Sequence, residues 1–428
     1  MTERLILLTF LFTVALSDEL FQVIFEWKSI DFQWLSEDHE EIYYKYEGYN
    51  KTNNFIATVK FWKDKMYLTI PRWKDDMPVT LGVTWAKPIN GVTEPKLEAF
   101  PDWDMQRLGN CAAFQLVHSM EIDPKGRMWI LDNGRSMSLR EPKVYCPLRL
   151  VILDLEDNNK ILRIYEFPDH IAHRTSAYLN DIVLDHEDGG MAYITDNNAI
   201  DPGIIVYSLK NNTSWKIRHE SMKAQSEAVR FTVAGTHIIK AKHVNGIALS
   251  PISSRDRQVY YSPLSSFHLY SIPVFALKNN VTNIDQYVRE LGRKSSQTDG
   301  MAMSSTGVFY FGLLADDAIA MWDTKNTSSF TIGQQIISRD YVQWPSSFAF
   351  DEVGNLWCVS NALQNFLNNR IDINVPNYRL IRTHVDVKNY QYYENGTAPE
   401  LPEVTAGVDS IKLVLATLLP TILILVAK

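Results

Sequence analysis

The stretch RMWILDNGR, residues 127–135, contains one apolar strand that stops at Asp132, Asn133 and Gly134. Three further strand-like segments surround it: QLVHSMEID (115–123) precedes it, and LRLVILDL (148–155) and ILRIYEFP (161–168) follow it. The residues PKG between the first two segments are typical of a tight turn. Four short strands in succession predict a four-stranded antiparallel meander rather than one isolated hairpin.

The same pattern recurs on both sides of this sheet. The upstream copy is FIATVKF, KMYLTIPRW, VTLGVTW and KLEAFP, within residues 55–101. The downstream copies are LNDIVLD, GMAYITD, GIIVYSL and SWKIRHE (179–220); VNGIALS, RQVYYSPLS and FHLYSIPV (244–274); and TDGMAMS, GVFYFGLL and AIAMWDT (298–324). The last copy contains SSFAFDEVGNLWCVSN (346–361) and YRLIRTHV (378–385). The chain therefore contains six units.

The spacing of these units predicts the fold. The turn after the first strand falls at Lys63, Asp123, Asp185, Ser250, Ser304 and Asp351, so the repeat length is about 47 to 65 residues. Four-stranded units at such intervals indicate an all-β, six-bladed β-propeller over residues 25–390, with four-stranded antiparallel blades. The sixth unit lacks an outer strand, whereas FEWKSIDFQW (25–34) is unassigned. We therefore expect the N-terminal strand to close the ring.

The three cysteines, Cys111, Cys146 and Cys358, are too few for a disulfide scaffold and are not spaced for zinc. Cys111 lies at the start of the innermost strand of its unit, and Cys146 lies in the loop between the second and third strands. In a meander these two points share one end of the sheet, which favours a Cys111–Cys146 disulfide. Cys358 lies within a strand and is predicted to be a buried free thiol.

Both termini resemble processing signals. Residues 1–17, MTERLILLTFLFTVALS, combine Arg4 with an apolar run and small final residues, which predicts a secretory signal peptide. Residues 391–410 read as a polar linker, and 411–428 as a hydrophobic tail that is a lipid-anchor signal, a short membrane segment or a helix packed on the domain. We expect an extracellular protein that contacts membranes only through this tail. Export agrees with glycosylation acceptors at Asn50, Asn211, Asn212, Asn280, Asn326 and Asn395.

The charge and the sequence motifs limit which partners and which enzyme classes the sequence supports. Among 428 residues, 42 Lys and Arg stand against 50 Asp and Glu, which gives a formal net charge of −8. Since no block is rich in Lys or Arg, nucleic acid is not an expected partner. The sequence contains no nucleophile elbow, no His-Glu-x-x-His motif and no phosphate loop. Sequence motifs therefore leave open whether the protein is an enzyme.

A resemblance to a known family is carried by an ordered series of segments: EWKSIDFQW, LGNC, WILDNGR, CPLRLVILDL, YLNDIVLD, GIALSP, YYSPLSSFHLYSIP, TDGMAMSSTGVFYFGL and LWCVSNALQNF. Together they resemble the yellow and major royal jelly protein family of insects. The resemblance implies a secreted six-bladed propeller. Members are linked to cuticle pigmentation and melanin metabolism; some convert dopachrome, some salivary members bind biogenic amines, and others are nutritive secretions.

Polar residues at the predicted channel mouth are the candidate site. They open the innermost strands of five units: Asn110, Asn180 with Asp181, Asn245, Thr298 with Asp299, and Ser346 with Ser347. They either cap strand ends and bond channel water, or form a mouth whose carboxylates attract a cation or an amine. Resemblance to the amine-binding members adds Ser346 and Asn361 as polar contacts. That subgroup's aromatic partner is Leu363 here, and Phe366 is the candidate replacement.

These observations predict a secreted yellow-type protein that binds a small aromatic, amine or catechol-derived ligand, with no cofactor required. Two alternatives stay open. One is an enzyme, either a dopachrome-type isomerase or a calcium-dependent, lactonase-like hydrolase that uses Asp181, Asn245 and Asp299. The other is a structural or nutritive glycoprotein without a ligand.

Overall fold

Six four-stranded antiparallel sheets form a ring in the computed structural model, which describes residues 20–139, 141–325 and 329–404. The predicted six-bladed β-propeller is therefore confirmed. The predicted signal peptide, the hydrophobic tail and Asn326 lie outside the described residues. No helix within the described ranges is long and apolar enough to cross a membrane.

Strand β1 (Gln22–Trp27) precedes the first complete blade. Blade 1 contains β2 (Val59–Trp62), β3 (Lys65–Thr69), β4 (Leu81–Trp85) and β5 (Glu98–Ala99). Blade 2 contains β6 (Val117–Ile122) and β7 (Arg127–Asp132), then the hairpin of β8 (Arg135–Ser136) and β9 (Lys143–Val144), then β10 (Arg149–Asp154) and β11 (Lys160–Glu166). Blade 3 contains β12 (Leu179–Asp185), β13 (Met191–Asp196), β14 (Gly203–Ser208) and β15 (Thr213–Ile217).

A second hairpin, β16 (Arg230–Val233) and β17 (Thr236–Ile239), leads into blade 4. That blade contains β18 (Val244–Leu249), β19 (Gln258–Pro263), β20 (His268–Pro273) and β21 (Arg289–Arg293). Blade 5 contains β22 (Met301–Met303), β23 (Val308–Leu313), β24 (Ala318–Asp323) and β25 (Gln335–Ser338), and blade 6 contains β26 (Trp344–Phe350), β27 (Asn355–Asn361) and β28 (Tyr378–His384). The helices are α1 (Glu37–Lys45), α2 (Val274–Lys278), α3 (Phe330–Gly333) and α4 (Leu363–Leu367), with 3₁₀ turns at Lys51–Asn53, Asp104–Gln106, Glu187–Gly189, Glu220–Met222, Ser226–Ala228 and Ile284–Gln286.

Two of the outer blade strands, β21 and β25, were not predicted. Most of their side chains are exposed or only partly buried, and β21 has the sequence RELGR. Outer strands of a propeller face solvent on their free edge, so they lack the apolar pattern that marks the inner strands.

The innermost strands, β2, β6, β12, β18, β22 and β26, contact one another in order around the ring, and β26 contacts β2. Close approach between these strands requires glycine. A Cβ atom at Gly300 would lie 2.8 Å from the backbone of Ser346 and Ser347, which belong to the next blade. Gly300 therefore makes room for the neighbouring channel wall.

Strand β1 closes the ring by pairing with β28, from Gln22 opposite Arg382 to Trp27 opposite Tyr378. The predicted closure is confirmed, but the predicted bounds, residues 25–34, are wrong. The strand ends at Trp27, the chain bends at Lys28 and Ser29, and Phe32 instead makes an isolated parallel bridge with Leu97 of blade 1. The apolar residues after the bend therefore pack beside blade 1 rather than extending the closing strand.

The C-terminal segment closes one end of the channel. The buried Tyr390 side chain lies there, and its hydroxyl accepts a hydrogen bond from the Leu184 amide, 2.8 Å away. Gln391 donates to the Ile122 carbonyl at 2.9 Å, and Leu401 is buried. Residues 391–404, the described part of the segment read as a polar linker, thus pack against the propeller.

The cysteines are arranged as predicted. Cys111 and Cys146 form a disulfide with a Cα–Cα distance of 5.5 Å, and Cys358 is a buried free thiol. Of the predicted glycosylation acceptors, Asn50, Asn211, Asn280 and Asn395 are exposed. Asn212 is half-buried, and its side-chain oxygen accepts hydrogen bonds from Arg163 and Tyr207.

Ring closure predicts an energetic role for Phe25, which is 1% exposed and stacks near Trp27 and Trp357. We expect Phe25→Ala to lower the free energy of unfolding by about 3–5 kcal/mol. Because β1 joins the two ends of the ring, the loss should lower one cooperative transition measured by calorimetry. The control is Phe275→Ala, at a residue that is 52% exposed, with an effect on the order of 1 kcal/mol. Opening of blade 6 alone, with the main transition unchanged, would contradict the role of closure.

Candidate functional site

A central cavity of about 260 Å³ opens at the end of the channel opposite Tyr390. Six of the predicted site residues line it: Asn180, Asp181, Asn245, Asp299, Ser346 and Ser347. All six lie at or near the starts of innermost strands, which the meander topology brings to the same end of the ring. The structure therefore places these predicted residues around one cavity.

A chain of hydrogen bonds joins these residues from blade to blade. Asn180 Nδ2 donates to the Asn245 carbonyl at 3.1 Å, and Asn245 Nδ2 donates to Asp299 Oδ1. Asp299 Oδ2 accepts from Trp344 Nε1 at 2.6 Å. Ser346 Oγ donates to the Ala57 carbonyl of the segment leading into blade 1, at 2.7 Å. We call these residues, Asn180, Asn245, Asp299, Trp344 and Ser346, the polar belt.

The amide orientations in the polar belt follow from a backbone group. The His243 N–H donates to Asn197 Oδ1, so Asn197 Nδ2 is the atom that donates to Asn245 Oδ1, at 2.8 Å. Asn245 consequently presents its NH₂ group to Asp299. An acceptor-only carboxylate suits this arrangement because it receives N–H donors on both oxygens.

The same arrangement does not fit the calcium site predicted for Asp181, Asn245 and Asp299. Calcium needs free oxygen ligands, whereas N–H groups of Asn245 and Trp344 face the two oxygens of Asp299. Within the described ranges no group of three or more His, Cys, Asp or Glu side chains is placed to hold a metal ion. We therefore derive no chemistry through calcium.

Four other candidates lie outside the cavity lining. One of them, Thr298, is fully buried. Asn361 connects blade 6 to blade 1, because its Nδ2 donates to the Ile56 carbonyl at 3.1 Å and to Ser346 Oγ at 2.9 Å. Phe366 is buried behind the cavity wall, where its ring contacts Phe55 and Trp73. Asn110 does not open a strand, since β6 begins at Val117 and Asn110 is exposed in the preceding turn.

One side of the cavity is an aromatic wall formed by Phe55, Trp73, His118 and Tyr178. Successive ring centroids along this wall are 5.1, 5.6 and 5.2 Å apart. Trp73 Nε1 can only donate, and it donates to the Tyr178 hydroxyl. The Tyr178 hydroxyl in turn lies 3.1 Å from His118 Nδ1. Burial and nearby Lys242 lower the pKa of His118 to about 3, so its ring is neutral. Its Nδ1 can therefore accept a hydrogen bond from the Tyr178 hydroxyl.

Three titratable groups on the polar side of the cavity have pKa values shifted from their ordinary values. Burial raises the pKa of Asp299 to about 7, against the lowering effect of its Trp344 and Asn245 donors. Burial likewise raises the pKa of Asp181 to about 6. Burial, reinforced by Lys240, lowers the pKa of Lys242 to about 8. The cavity therefore holds several groups that change charge near neutral pH.

Basic side chains outnumber carboxylates in the lining. Lys60, Arg135, Lys240 and Lys242 face the cavity together with Asp181 and Asp299. Of these four, Lys60 has a carboxylate partner, Glu121, at 2.8 Å. Because burial also raises the pKa of both lining carboxylates, the cavity is net positive at neutral pH.

Sequence reasoning missed Trp73, Tyr178, Arg135 and Lys242 as lining residues. Trp73 and Arg135 follow the second strand of their blades, and Tyr178 and Lys242 lie just before innermost strands. Both positions belong to the same end of the ring as the strand starts. Extending the search a few residues beyond each predicted strand would have identified them.

Comparison with known proteins finds one matching family and several relatives that cover most of the chain. The profile of the family described as major royal jelly protein matches residues 115–390. A protein of Drosophila melanogaster named dopaminechrome tautomerase is 24% identical over 387 residues, which covers 86% of this chain and 83% of that protein. Major royal jelly protein 3 of Apis mellifera is 27% identical over 388 residues, or 85% of this chain and 69% of that protein.

Protein yellow of Drosophila melanogaster is 27% identical over 371 residues, covering 83% of this chain and 67% of that protein. The match to the family profile spans the innermost strands of blades 2 to 6 and the polar belt. The resemblance inferred from short segments is thereby confirmed over most of the chain. This chain belongs to the major royal jelly protein family, which includes the yellow proteins.

Proposed function

We propose that this protein is secreted and binds a small aromatic, catechol-derived ligand in its central cavity, in pigmentation or cuticle biology. The observation that carries the proposal is the pairing of the aromatic wall with the polar belt around one cavity. A flat ring packs favourably against aromatic side chains, and ring hydroxyls find donors and acceptors on the opposite side. Beyond the cavity the channel narrows to a space of about 40 Å³ lined by Tyr390, which favours a small ligand over a polymer.

Secretion is supported by three separate features. Residues 1–17 have the pattern of a signal peptide. The Cys111–Cys146 disulfide is typical of oxidising compartments. Four of the predicted glycosylation acceptors are exposed, as attachment of a glycan requires.

Tautomerisation is a second candidate function, favoured by the titratable groups in the cavity. Conversion of an aminochrome to a dihydroxyindole moves two protons, one from each of two ring carbons, to the two ring oxygens, with no net change in atoms or electrons. Such a step needs a base and an acid but no cofactor. Asp181, Asp299 and Lys242 have pKa values of about 6, 7 and 8, close to the optimum for proton transfer at neutral pH. A relative named dopaminechrome tautomerase supports the same reaction class.

Ligand binding predicts a contribution from the ring of Tyr178. We expect the protein to bind 4-methylcatechol, a neutral probe, and Tyr178→Leu to weaken binding by roughly two- to tenfold because ring stacking is lost. Isothermal titration calorimetry measures the affinity. The control is Tyr46→Leu, at a residue that is 81% exposed outside the cavity, which should bind as the parent does. Failure of the parent protein to bind any catechol would favour a structural or nutritive role.

Tautomerase activity predicts a characteristic pH profile. The rate of dopaminechrome conversion above the spontaneous background should rise between about pH 5 and 8, because the carboxylate must be ionised to act as a base. Asp299→Asn should lower the rate by roughly 10²- to 10⁴-fold. The control is Asp285→Asn, at a carboxylate that is 79% exposed. A rate that is already maximal near pH 4, or that Asp299→Asn leaves unchanged, would eliminate Asp299 as the base.

The raised pKa of Asp299 also predicts pH-dependent stability. In the unfolded chain the carboxyl ionises near pH 4, whereas in the folded protein it ionises near pH 7. Its contribution to stability is therefore full below about pH 4 and is lost as the pH rises to about 7. Asp299→Asn should flatten this part of the melting-temperature profile. A parallel pair of profiles would show that the group is not desolvated as described.

A further inference from the structure

Arg135 is buried in the cavity wall without the partners that such a group normally has. Its side chain lines the cavity, and the residue is 4% exposed. Nη1 donates to the Thr175 carbonyl at 3.2 Å, but Nε and Nη2 have no hydrogen-bond partner in the described part of the chain. Burying a charged group without partners is costly, so this guanidinium needs a partner that the described residues do not supply.

Other buried arginines have more partners. Arg127 and Arg257 each leave one buried nitrogen without a hydrogen bond, but each forms an ion pair with an aspartate. Arg72 donates from all three guanidinium nitrogens to backbone carbonyls. Arg149 pairs with Asp132 at 3.0 Å. Within residues 20–139, 141–325 and 329–404, Arg135 is the side chain with two buried, unpartnered polar atoms. The contrast indicates a site rather than a general feature of the fold.

The carboxylate that acts electrostatically on Arg135 is already engaged by other groups. Asp196 influences Arg135 electrostatically, but its Oδ2 pairs with Lys216 Nζ at 2.7 Å and its Oδ1 accepts from the Tyr178 N–H at 2.7 Å. Arg135 forms no ion pair with any described carboxylate. Within the described ranges, Arg135 therefore has no ion-pair partner, and Asp196 offsets its charge only from a distance.

A second cation, Lys242, lies near the same aromatic ring as Arg135. The Arg135 guanidinium carbon lies 6.0 Å, and Lys242 Nζ lies 5.7 Å, from the centroid of the Tyr178 ring. Both side chains line the cavity, and each raises the electrostatic cost of the other. They come from the two segments that interrupt the blade pattern: Arg135 from β8, and Lys242 from the chain just after β17.

We propose that Arg135 and Lys242 form a subsite for the carboxylate of an anionic aromatic ligand. The guanidinium fork matches a carboxylate through two parallel hydrogen bonds, and Lys242 adds a point charge. The ligand ring then lies along Tyr178 and Trp73. This inference rests on the proposed function because it specifies the charge of the ligand in the same cavity, and it disfavours the cationic amines expected from sequence.

The test compares an acid and its neutral amide of nearly equal shape, together with a cationic catechol and an acid without hydroxyls. The probes are 3,4-dihydroxybenzoate, its neutral amide 3,4-dihydroxybenzamide, the cation dopamine, and benzoate, which lacks the catechol hydroxyls. Calorimetric titration of the full mature protein should give a preference of roughly ten- to a hundredfold for the acid over the amide. Arg135→Met should bring this ratio close to one, and Arg135→Lys should restore part of it.

Two further variants keep the test independent of folding. Lys242→Met should lower the acid-to-amide ratio without removing Arg135, so a poorly folded Arg135 variant does not end the experiment. Lys160→Met removes an exposed lysine that is 65% accessible in the outer strand of blade 2, and the ratio should not change. Melting temperatures of all variants identify any loss of fold.

The outcomes separate this inference from the proposed function. Equal binding of the acid and the amide would overturn the anion subsite while leaving catechol binding intact. Tighter binding of dopamine than of the acid would also overturn it. Equal binding of benzoate and 3,4-dihydroxybenzoate, both dependent on Arg135, would support the subsite and contradict a preference for catechols. Binding of none of the probes would overturn both proposals.

Discussion

Pairing of β1 with β28 is the constraint on which the rest of this structure depends. It joins the first strand of the described chain to the last and so fixes six sheets around one axis. Once the ring is closed, the starts of all innermost strands must share one end. Polar groups at those starts cannot all be satisfied by their own sheets, so they bond across blades, as Asn180, Asn245 and Asp299 do.

The polar belt therefore serves stability and site formation through the same bonds. Asp299 receives donors from two neighbouring blades, which stabilise its ionised form. Burial of Asp299 disfavours the ionised form and has the larger effect, so the pKa of Asp299 rises. A role in capping strand ends and a role in proton transfer are not alternatives here, since the contacts that hold the carboxylate also set its titration.

The sequence predicted what repeats and missed what does not. Repeating strands and turns indicated the ring, its closure and the Cys111–Cys146 pair, because each follows from topology alone. Asp181 and Asp299 were found because they sit where strands begin. Phe366 was predicted in the cavity, but the short helix α4 places it behind the cavity wall. The β8–β9 hairpin contains Arg135, and the β16–β17 hairpin directly precedes Lys242. Neither hairpin has a counterpart in the other units. No repeat pattern can reveal an insertion that occurs once.

This division gives the two halves of the cavity different origins. The blades supply Asp181 and Asp299 with hydrogen-bond partners from within the fold, and these carboxylates need no ligand to be stable. The hairpin segments supply Arg135 and Lys242; both lie near the Tyr178 ring, and Arg135 keeps two buried nitrogens that no described residue partners. A ligand gains most by meeting the group whose burial has not been offset. In the function that we propose, recognition therefore belongs to the inserted segments, while the ring holds the carboxylates that would move a proton.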